Sequence, residues 1–203
     1  MNRPIDLAHM QAGFAEPVQD AQRCFRAVLE AFSRPGRIQQ MSDLAAPPPG
    51  LGAAQAAVLL ALLDTDTPLW LPPALRDAAA GHWLRFHCGC PLATDLTKAQ
   101  FVVLGALDEL PPLDSLYLGE ADYPDRSATL LIEVDTLASN GPLRLVGPGI
   151  EREHRLQVAG WNESVSRFAH ENRRSFPLGV DMLLCCGERL AGLPRTTQIK
   201  EDC

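Results

Sequence analysis

The sequence predicts a single α/β domain built on a mixed β-sheet flanked by helices. Three observations lead there. Strand-like and helix-like stretches alternate over most of the chain, as they do when helices connect strands across the faces of a sheet. Val180 to Cys186 is a nearly unbroken apolar run, the pattern of a strand covered on both faces. The chain has 203 residues, 46% of them apolar, enough for one substantial core; at this size about 70% of the unfolded surface is buried on folding.

Residues 1 to 13 show no periodicity and are expected to form a loose arm, leaving 14 to 203 as the domain. Asp20 to Phe32 reads as a helix, with Ala21, Cys24, Phe25, Val28, Leu29 and Phe32 on one face at steps of three and four. Asp20 is its expected N-cap and Pro35-Gly36 its stop. Pro47-Pro-Pro-Gly50 is a loop, because three prolines neither continue a helix nor donate to a sheet. Ala53 to Leu63 is a helix apolar almost all round, hence interior or at an interface. At an interface it would make the chain a homodimer.

Thr67 to Leu71 reads as a short strand, and Ala74 to His87 as a helix with a break at Gly81. Gln100 to Ala106 is a buried strand, and Pro111 to Leu118 contains a short helix. Thr129 to Asp135 and Leu143 to Val146 suggest a strand pair joined by Ser139-Asn-Gly-Pro142. Asn162 caps a helix running to about Asn172. A hairpin closes the domain: Gly187-Glu188 suits a type II′ turn, and Pro194 ends the returning strand because it has no amide hydrogen.

The formal net charge of −7, with no long run of like charges, argues against a nucleic-acid partner, whose phosphates need a positive footprint. The apolar runs are too short to span a bilayer, and the N-terminus lacks a secretory apolar core. Six cysteines, with Cys185 next to Cys186 and Cys88 one residue from Cys90, make no secreted disulfide framework, so a reduced cytoplasm is the expected location.

The candidate chemistry is sparse. Lys98 and Lys200 are the only lysines, and neither ends a phosphate-cradling loop or lies in a stretch suited to a Schiff base. His87-Cys88-Gly89-Cys90 offers metal-ligand types, with His154, His170 and Cys185-Cys186 as distant partners. The spacing is too tight, and a helix end capped by Gly89 with buried thiols is the simpler reading. Gly147-Pro148-Gly149 lacks a third glycine and reads as a plain turn. Asp64 and Asp66 fit a turn before a strand. Asp181, inside an apolar run, is the acid expected to be buried, and therefore paired. Arg195, Thr196 and Thr197, with Arg85, His87 and Arg144, carry guanidinium forks and hydroxyls suited to phosphate or phosphonate oxygens. The same arginines could instead pair with Glu188, Asp181 or Glu133, or with a partner protein. No nucleophile–base set assembles from the sequence, and no catalytic residue or metal ligand is assigned.

Several stretches in order carry a family resemblance. They are Phe14-x-x-Pro17-Val18-x-Asp20-Ala21-Gln22-x-x-Phe25-Arg26, Ser33-x-Pro35-Gly36, Asp64-Thr-Asp66-Thr67-Pro68-Leu-Trp70, and Leu84-Arg85-Phe86-His87. Further on come Ala128-Thr129-Leu130, Leu143-Arg144-Leu145, Gly147-x-Gly149-Ile150, and Ser175 to Thr197. Together they resemble the PhnH family, a component of the bacterial carbon–phosphorus lyase system, over roughly residues 14 to 197. The resemblance implies a fold similar to the large domain of pyridoxal-phosphate-dependent transferases, without the cofactor. It also implies a role in phosphonate use. In that system the PhnI component, helped by PhnG, PhnH and PhnL, displaces adenine from ATP with an alkylphosphonate, and PhnJ later cleaves the carbon–phosphorus bond. A chain of this kind would be a homodimeric accessory member of an assembly with the carbon–phosphorus lyase subunits G, I and J. The alternatives are a stand-alone enzyme acting on a phosphorylated or phosphonate metabolite, and a metal-binding redox protein using Cys88 and Cys90.

Overall fold

Four parallel strands form the centre of the molecule. In the computed structural model, which describes residues 12–41 and 46–201, they are β2 (Leu69–Trp70), β3 (Phe101–Leu104), β4 (Thr129–Glu133) and β7 (Asp181–Cys186). Two antiparallel strands, β8 (Arg189–Leu193) and β1 (Gln39–Gln40), extend the sheet in the order β1-β8-β7-β4-β3-β2. The pairing register is regular: Thr129 lies beside Asp181, Val102 beside Leu130, and Met182 opposite Leu193. The sheet is therefore mixed, as the sequence predicts. Most of the expected arm, residues 1–11, lies outside the described residues.

Alternation along the strands divides the core into two layers. Val103, Leu131, Leu183 and Cys185 face helices α1 (Pro17–Ser33), α2 (Ala53–Leu62) and α4 (Ala79–Cys88). Val102, Leu104, Leu130, Ile132, Met182 and Leu184 face the other way. There they meet α5 (Glu163–Arg174) and a second sheet of three antiparallel strands in the order β6-β5-β9. These are β5 (Leu137–Val146), β6 (His154–Val158) and β9 (Gln198–Glu201). Both faces of the central strands are covered, which explains their unbroken apolar runs. One cover differs from the expected helices: much of that face is closed by the small sheet.

Several local expectations need correction. Thr129–Glu133 and Leu143–Val146 do not pair; they lie in different sheets, and β5 pairs with β6 and β9. The Ser139-Asn-Gly-Pro142 signal is a bulge inside β5, where the register shifts between Ser139 and Leu143 and Asn140 takes φ +65°. The helix over 74–87 is interrupted at Asp77 and Ala78, between α3 (Pro73–Arg76) and α4, rather than at Gly81. Gly81 lies within α4, and a side chain is excluded there because a Cβ would stand 2.0 Å from the Arg76 carbonyl oxygen. The short helix expected within Pro111 to Leu118 is present, as a single 3₁₀ turn at Leu113–Ser115.

Helix α1 begins earlier than expected, with Pro17 in its first turn and Glu16 as N-cap. Asp20 is thus not the cap. It sits one turn inside, 3% exposed, where its Oδ2 accepts from the Glu16 N–H at 2.9 Å and its Oδ1 pairs with Arg23. The buried face of α1 is Cys24, Val28 and Ala31, whereas Val18, Phe25 and Leu29 stay largely exposed. Helix α2 is largely interior: Ala54 to Leu59 are all buried within this chain, and Leu60, Ala61 and Leu62 are half-buried against the same core. The closing hairpin turns at Gly187, with φ +59°. Glu188 is not among the residues with positive φ, which fits a type II′ turn.

Candidate functional site

The proposed anion cluster is not assembled in one place. Arg85 and His87 lie in the last turn of α4, in the helical layer, and both are exposed. The His87 ring meets Trp83 and Phe86 edge-on, at centroid distances of 4.9 and 5.0 Å. Arg144 sits on β5, in the opposite layer, 3.5 Å from Glu153. Thr197 is buried, with its N–H bonded to the Pro194 carbonyl at 2.8 Å, and the Thr196 carbonyl packs against Gly147.

Arg195 points inward, and its fork is used up within the chain. The Nε donates to Asp181 Oδ1 at 3.2 Å and one terminal nitrogen to Asp181 Oδ2 at 2.8 Å. That nitrogen also donates to Ser127 Oγ, and the other donates to the carbonyls of Pro124 (3.0 Å) and Pro177 (3.2 Å). An arginine has five guanidinium N–H groups, and these contacts occupy them all. The Arg195 backbone N–H adds a bond to Asp181 Oδ1 at 2.8 Å. Of the pairings open to this arginine in the sequence, Asp181 is the one formed. Asp181 is half-buried, and among the described residues the buried acid is Asp20. The pair stands at the amino ends of the parallel strands, since Asp181 lies level with Thr129 at the start of β4.

The opposite, carboxyl ends of β3 and β4 open into a crevice of about 340 Å³. This is where ligands enter open parallel sheets. Gly105 and Asp108 follow β3, Glu133 ends β4 with Asp135 beyond it, and Gly160 and Asn162 close the far wall. Asn162 caps α5, its Oδ1 accepting from the N–H groups of Ser164 (2.9 Å) and Val165 (3.2 Å). Gln55, 1% exposed, ties α2 to the sheet by donating to the carbonyls of Leu104 and Leu131 at 3.0 and 3.1 Å. Glu133 carries the least satisfied group. Its Oε1 accepts from the Gly187 N–H at 3.3 Å, while Oε2 is shielded from solvent without a partner. Burial pushes this carboxyl above its ordinary value, the Gly187 N–H pulls it back, and the Asp135 charge adds to the rise.

Three carboxylates around one crevice present acceptors, and a bare phosphate or phosphonate brings more acceptors. The crevice suits cationic or hydroxyl-bearing groups and rejects an unaccompanied anion. It has no lysine in its wall for a Schiff base: Lys98 and Lys200 are exposed elsewhere. Among the described residues no three His, Cys, Asp or Glu side chains stand close enough to hold a metal. Burial pushes the thiols of Cys24 and Cys88 up to about 12 and raises Cys90 and Cys185, so they behave as small apolar groups. No helix among the described residues is long and apolar enough to cross a membrane. Sequence reasoning missed the crevice. Glu133 entered it only as a possible arginine partner, because nothing local marks a residue as the last of a parallel strand.

Comparison with known proteins places the chain. The family model described as bacterial phosphonate metabolism protein (PhnH) matches residues 12–200. The chain is 39% identical over 189 residues to the alpha-D-ribose 1-methylphosphonate 5-triphosphate synthase subunit PhnH of Rhizobium meliloti (strain 1021), covering 93% of this chain and 94% of that one. It is 32% identical over 181 residues to the putative C-P lyase subunit protein HtxG of Stutzerimonas stutzeri, covering 88% and 85%. Matched by the family model over residues 12–200 and by this 39% identical relative over 93% of its length, the chain belongs to the PhnH family of bacterial phosphonate metabolism proteins.

Proposed function

We propose that this chain is an accessory subunit of a ribose 1-methylphosphonate 5-triphosphate synthase. It is required for transfer of the ribose triphosphate moiety of ATP to an alkylphosphonate and for assembly of the core complex. Its partners are carbon–phosphorus lyase subunits G, I and J, with PhnL acting in the same reaction, and the complex works in the cytoplasm. The chain pairs with a second copy of itself. Its fold is that of the large domain of pyridoxal-phosphate-dependent transferases, emptied of that cofactor.

One observation carries the non-catalytic part of this reading. The arginine best placed by sequence to grip a phosphonate spends every guanidinium N–H on its own chain, while the crevice at the strand ends is lined with acids. A chain whose Arg195 is committed to its own fold, and whose crevice is acidic, contributes by organising another protein's chemistry. The stand-alone enzyme loses its main support for the same reason.

The test is co-expression of the tagged chain with PhnG, PhnI, PhnJ and PhnL, followed by stoichiometry and by adenine release from ATP plus methylphosphonate. The expected result is recovery of PhnG, PhnI and PhnJ, adenine release that depends on this chain, and no release by the chain alone. Release by the isolated chain, or full release by the others without it, overturns the reading.

A further inference from the structure

Two hollows at the carboxyl end of the parallel strands join into one trough with two different linings. The crevice of about 340 Å³ described above shares Leu107, Asp108 and Asn162 with a larger hollow of about 510 Å³, cut between residues 107–113 and one side of α5. The larger hollow is mainly apolar. Val165 and Phe168 of α5 are buried at its floor, and Leu110, Pro111 and Leu113 form a half-exposed lip. That lip is held in shape before anything binds. Turns of 3₁₀ helix at Leu107–Glu109 and Leu113–Ser115 bracket Pro111 and Pro112, and the Gly105 N–H donates to Glu109 Oε2 at 2.8 Å.

The wall of the trough is acidic. Asp108, Asp135 and Glu171 are exposed in it and Glu133 is half-buried there; the first three form no ion pair among the described residues. Against these four acids the described lining sets one cation, Arg167, which already faces Glu163 at 3.2 Å. The residues outside those described do not reverse this sign, since they hold one arginine, Arg3, against Asp6, Asp43 and Asp202. An open apolar hollow that runs into uncompensated negative charge fits an occupant with an apolar part and a cationic part.

We infer that this trough holds an extended segment of another member of the assembly, with a large apolar side chain over Val165 and Phe168 and a lysine or arginine at Asp108 and Asp135. This rests on the complex reading above. Charge selects the occupant. A second copy of this chain, with its net charge of −7, and a phosphate-bearing ligand would both bring more negative charge to the acids. Shape selects it too. A small ligand is enclosed by a pocket that buries most of its surface, whereas both hollows are open to solvent and joined across Asp108 and Asn162. The stiff lip lowers the ordering cost of docking, and the acids speed and orient the approach.

The experiment uses the co-expressed complex with Asp108→Lys and Leu110→Gln, singly and combined, and Asp122→Lys as a control with the same charge change on an exposed residue away from the trough. Affinity is measured by titrating the purified chain onto the remaining members of the complex at two ionic strengths. The expected result is a loss of about tenfold or more for the combined variant and no change for Asp122→Lys. The single variants should divide: Asp108→Lys makes the salt dependence shallower, whereas Leu110→Gln weakens binding and leaves the salt dependence as it was. Thermal unfolding of each variant separates docking from folding, and Asp108→Lys, on an exposed side chain, leaves the fold intact. Unchanged affinity in the combined variant overturns the trough as the docking site while leaving the complex reading in place. Failure of the unaltered chain to recover any partner overturns both. Spermidine binding by the isolated chain that is lost in Asp108→Lys, with assembly intact, assigns the trough to a small cation and overturns the protein segment. Light scattering in which the combined variant turns a dimer of the isolated chain into a monomer, with assembly intact, assigns it to a second copy and overturns the segment equally.

Discussion

Replacing Arg195 with alanine should destabilise the fold by about 3 kcal/mol, and should affect the complex only through that loss. The side chain is 9% exposed and holds five acceptors on four residues: both oxygens of the Asp181 carboxylate, Ser127 Oγ, and the carbonyls of Pro124 and Pro177. Removing one side of a buried pair typically costs 3–5 kcal/mol because the other charge is stranded. Asp181 is 27% exposed and keeps the Arg195 backbone N–H at 2.8 Å, which places the cost at the lower end, about 3 kcal/mol. For a chain of this length that is a fall of roughly 9 °C in Tm. Urea unfolding followed by circular dichroism gives the free energy, and the double variant Arg195→Ala/Asp181→Asn gives the coupling. Lysine at 195 should recover less than half of the loss, since one ammonium cannot reach acceptors spread around a planar fork. An Arg195→Ala protein within about 0.5 kcal/mol of the unaltered chain, or additive single effects in the cycle, would refute the clamp.

Burial raises the Glu133 carboxyl above its unfolded value, so the folded state holds its proton more tightly and stability falls as pH rises through the window just above the ordinary carboxylate range. Glu133→Gln should therefore flatten this slope and stabilise the fold at pH 7, read from urea midpoints between pH 4 and 8; a steeper slope would contradict it. A Cβ at Gly52 would stand 2.1 Å from Glu133 Oε2, so Gly52→Ala should cost about 1–3 kcal/mol, partly recovered in Gly52→Ala/Glu133→Gly. Iodoacetamide at pH 8 should leave Cys24, Cys88 and Cys185 unmodified in the folded chain and label all three in guanidinium, as peptide mass spectrometry would show.

What could be read from sequence was local or strongly periodic. The hairpin over β7 and β8, the Asn162 cap of α5 and the buried α2 each declare themselves within a dozen residues. The small sheet did not, because Asn140-Gly141-Pro142 carries a turn signal that the structure uses as a bulge. Gly141 is needed there for close approach, as a Cβ would stand 2.2 Å from the Gln157 nitrogen. The apolar stripe of α1 was legible, but its division was not. Cys24 and Val28 go inward while Phe25 and Leu29 remain 51% and 57% exposed, and that choice depends on where α2 lies. For Arg195 the sequence left several partners open, Asp181 among them. Its use of Asp181, Ser127 and two distant carbonyls is non-local, and no spacing rule reveals it.

The route of the chain between β4 and β7 sets an order on folding. These strands are neighbours in the sheet, yet residues 134–180, with the whole β5–β6 pair and α5, are spooled out between them. The β7–β8 pair is closed by Gly187 and Glu188 alone. Closing a loop of about 50 residues rather than two costs roughly 3 kcal/mol more in chain entropy. The hairpin is thus free to form first and wait, while the β4–β7 seam zips only after the intervening segment has gathered into its own unit. Substitutions at the Gly187 turn should act early on the folding rate, and those that loosen the Asn172 contacts to Val180, which fasten the end of α5 to the start of β7, should act mainly on unfolding.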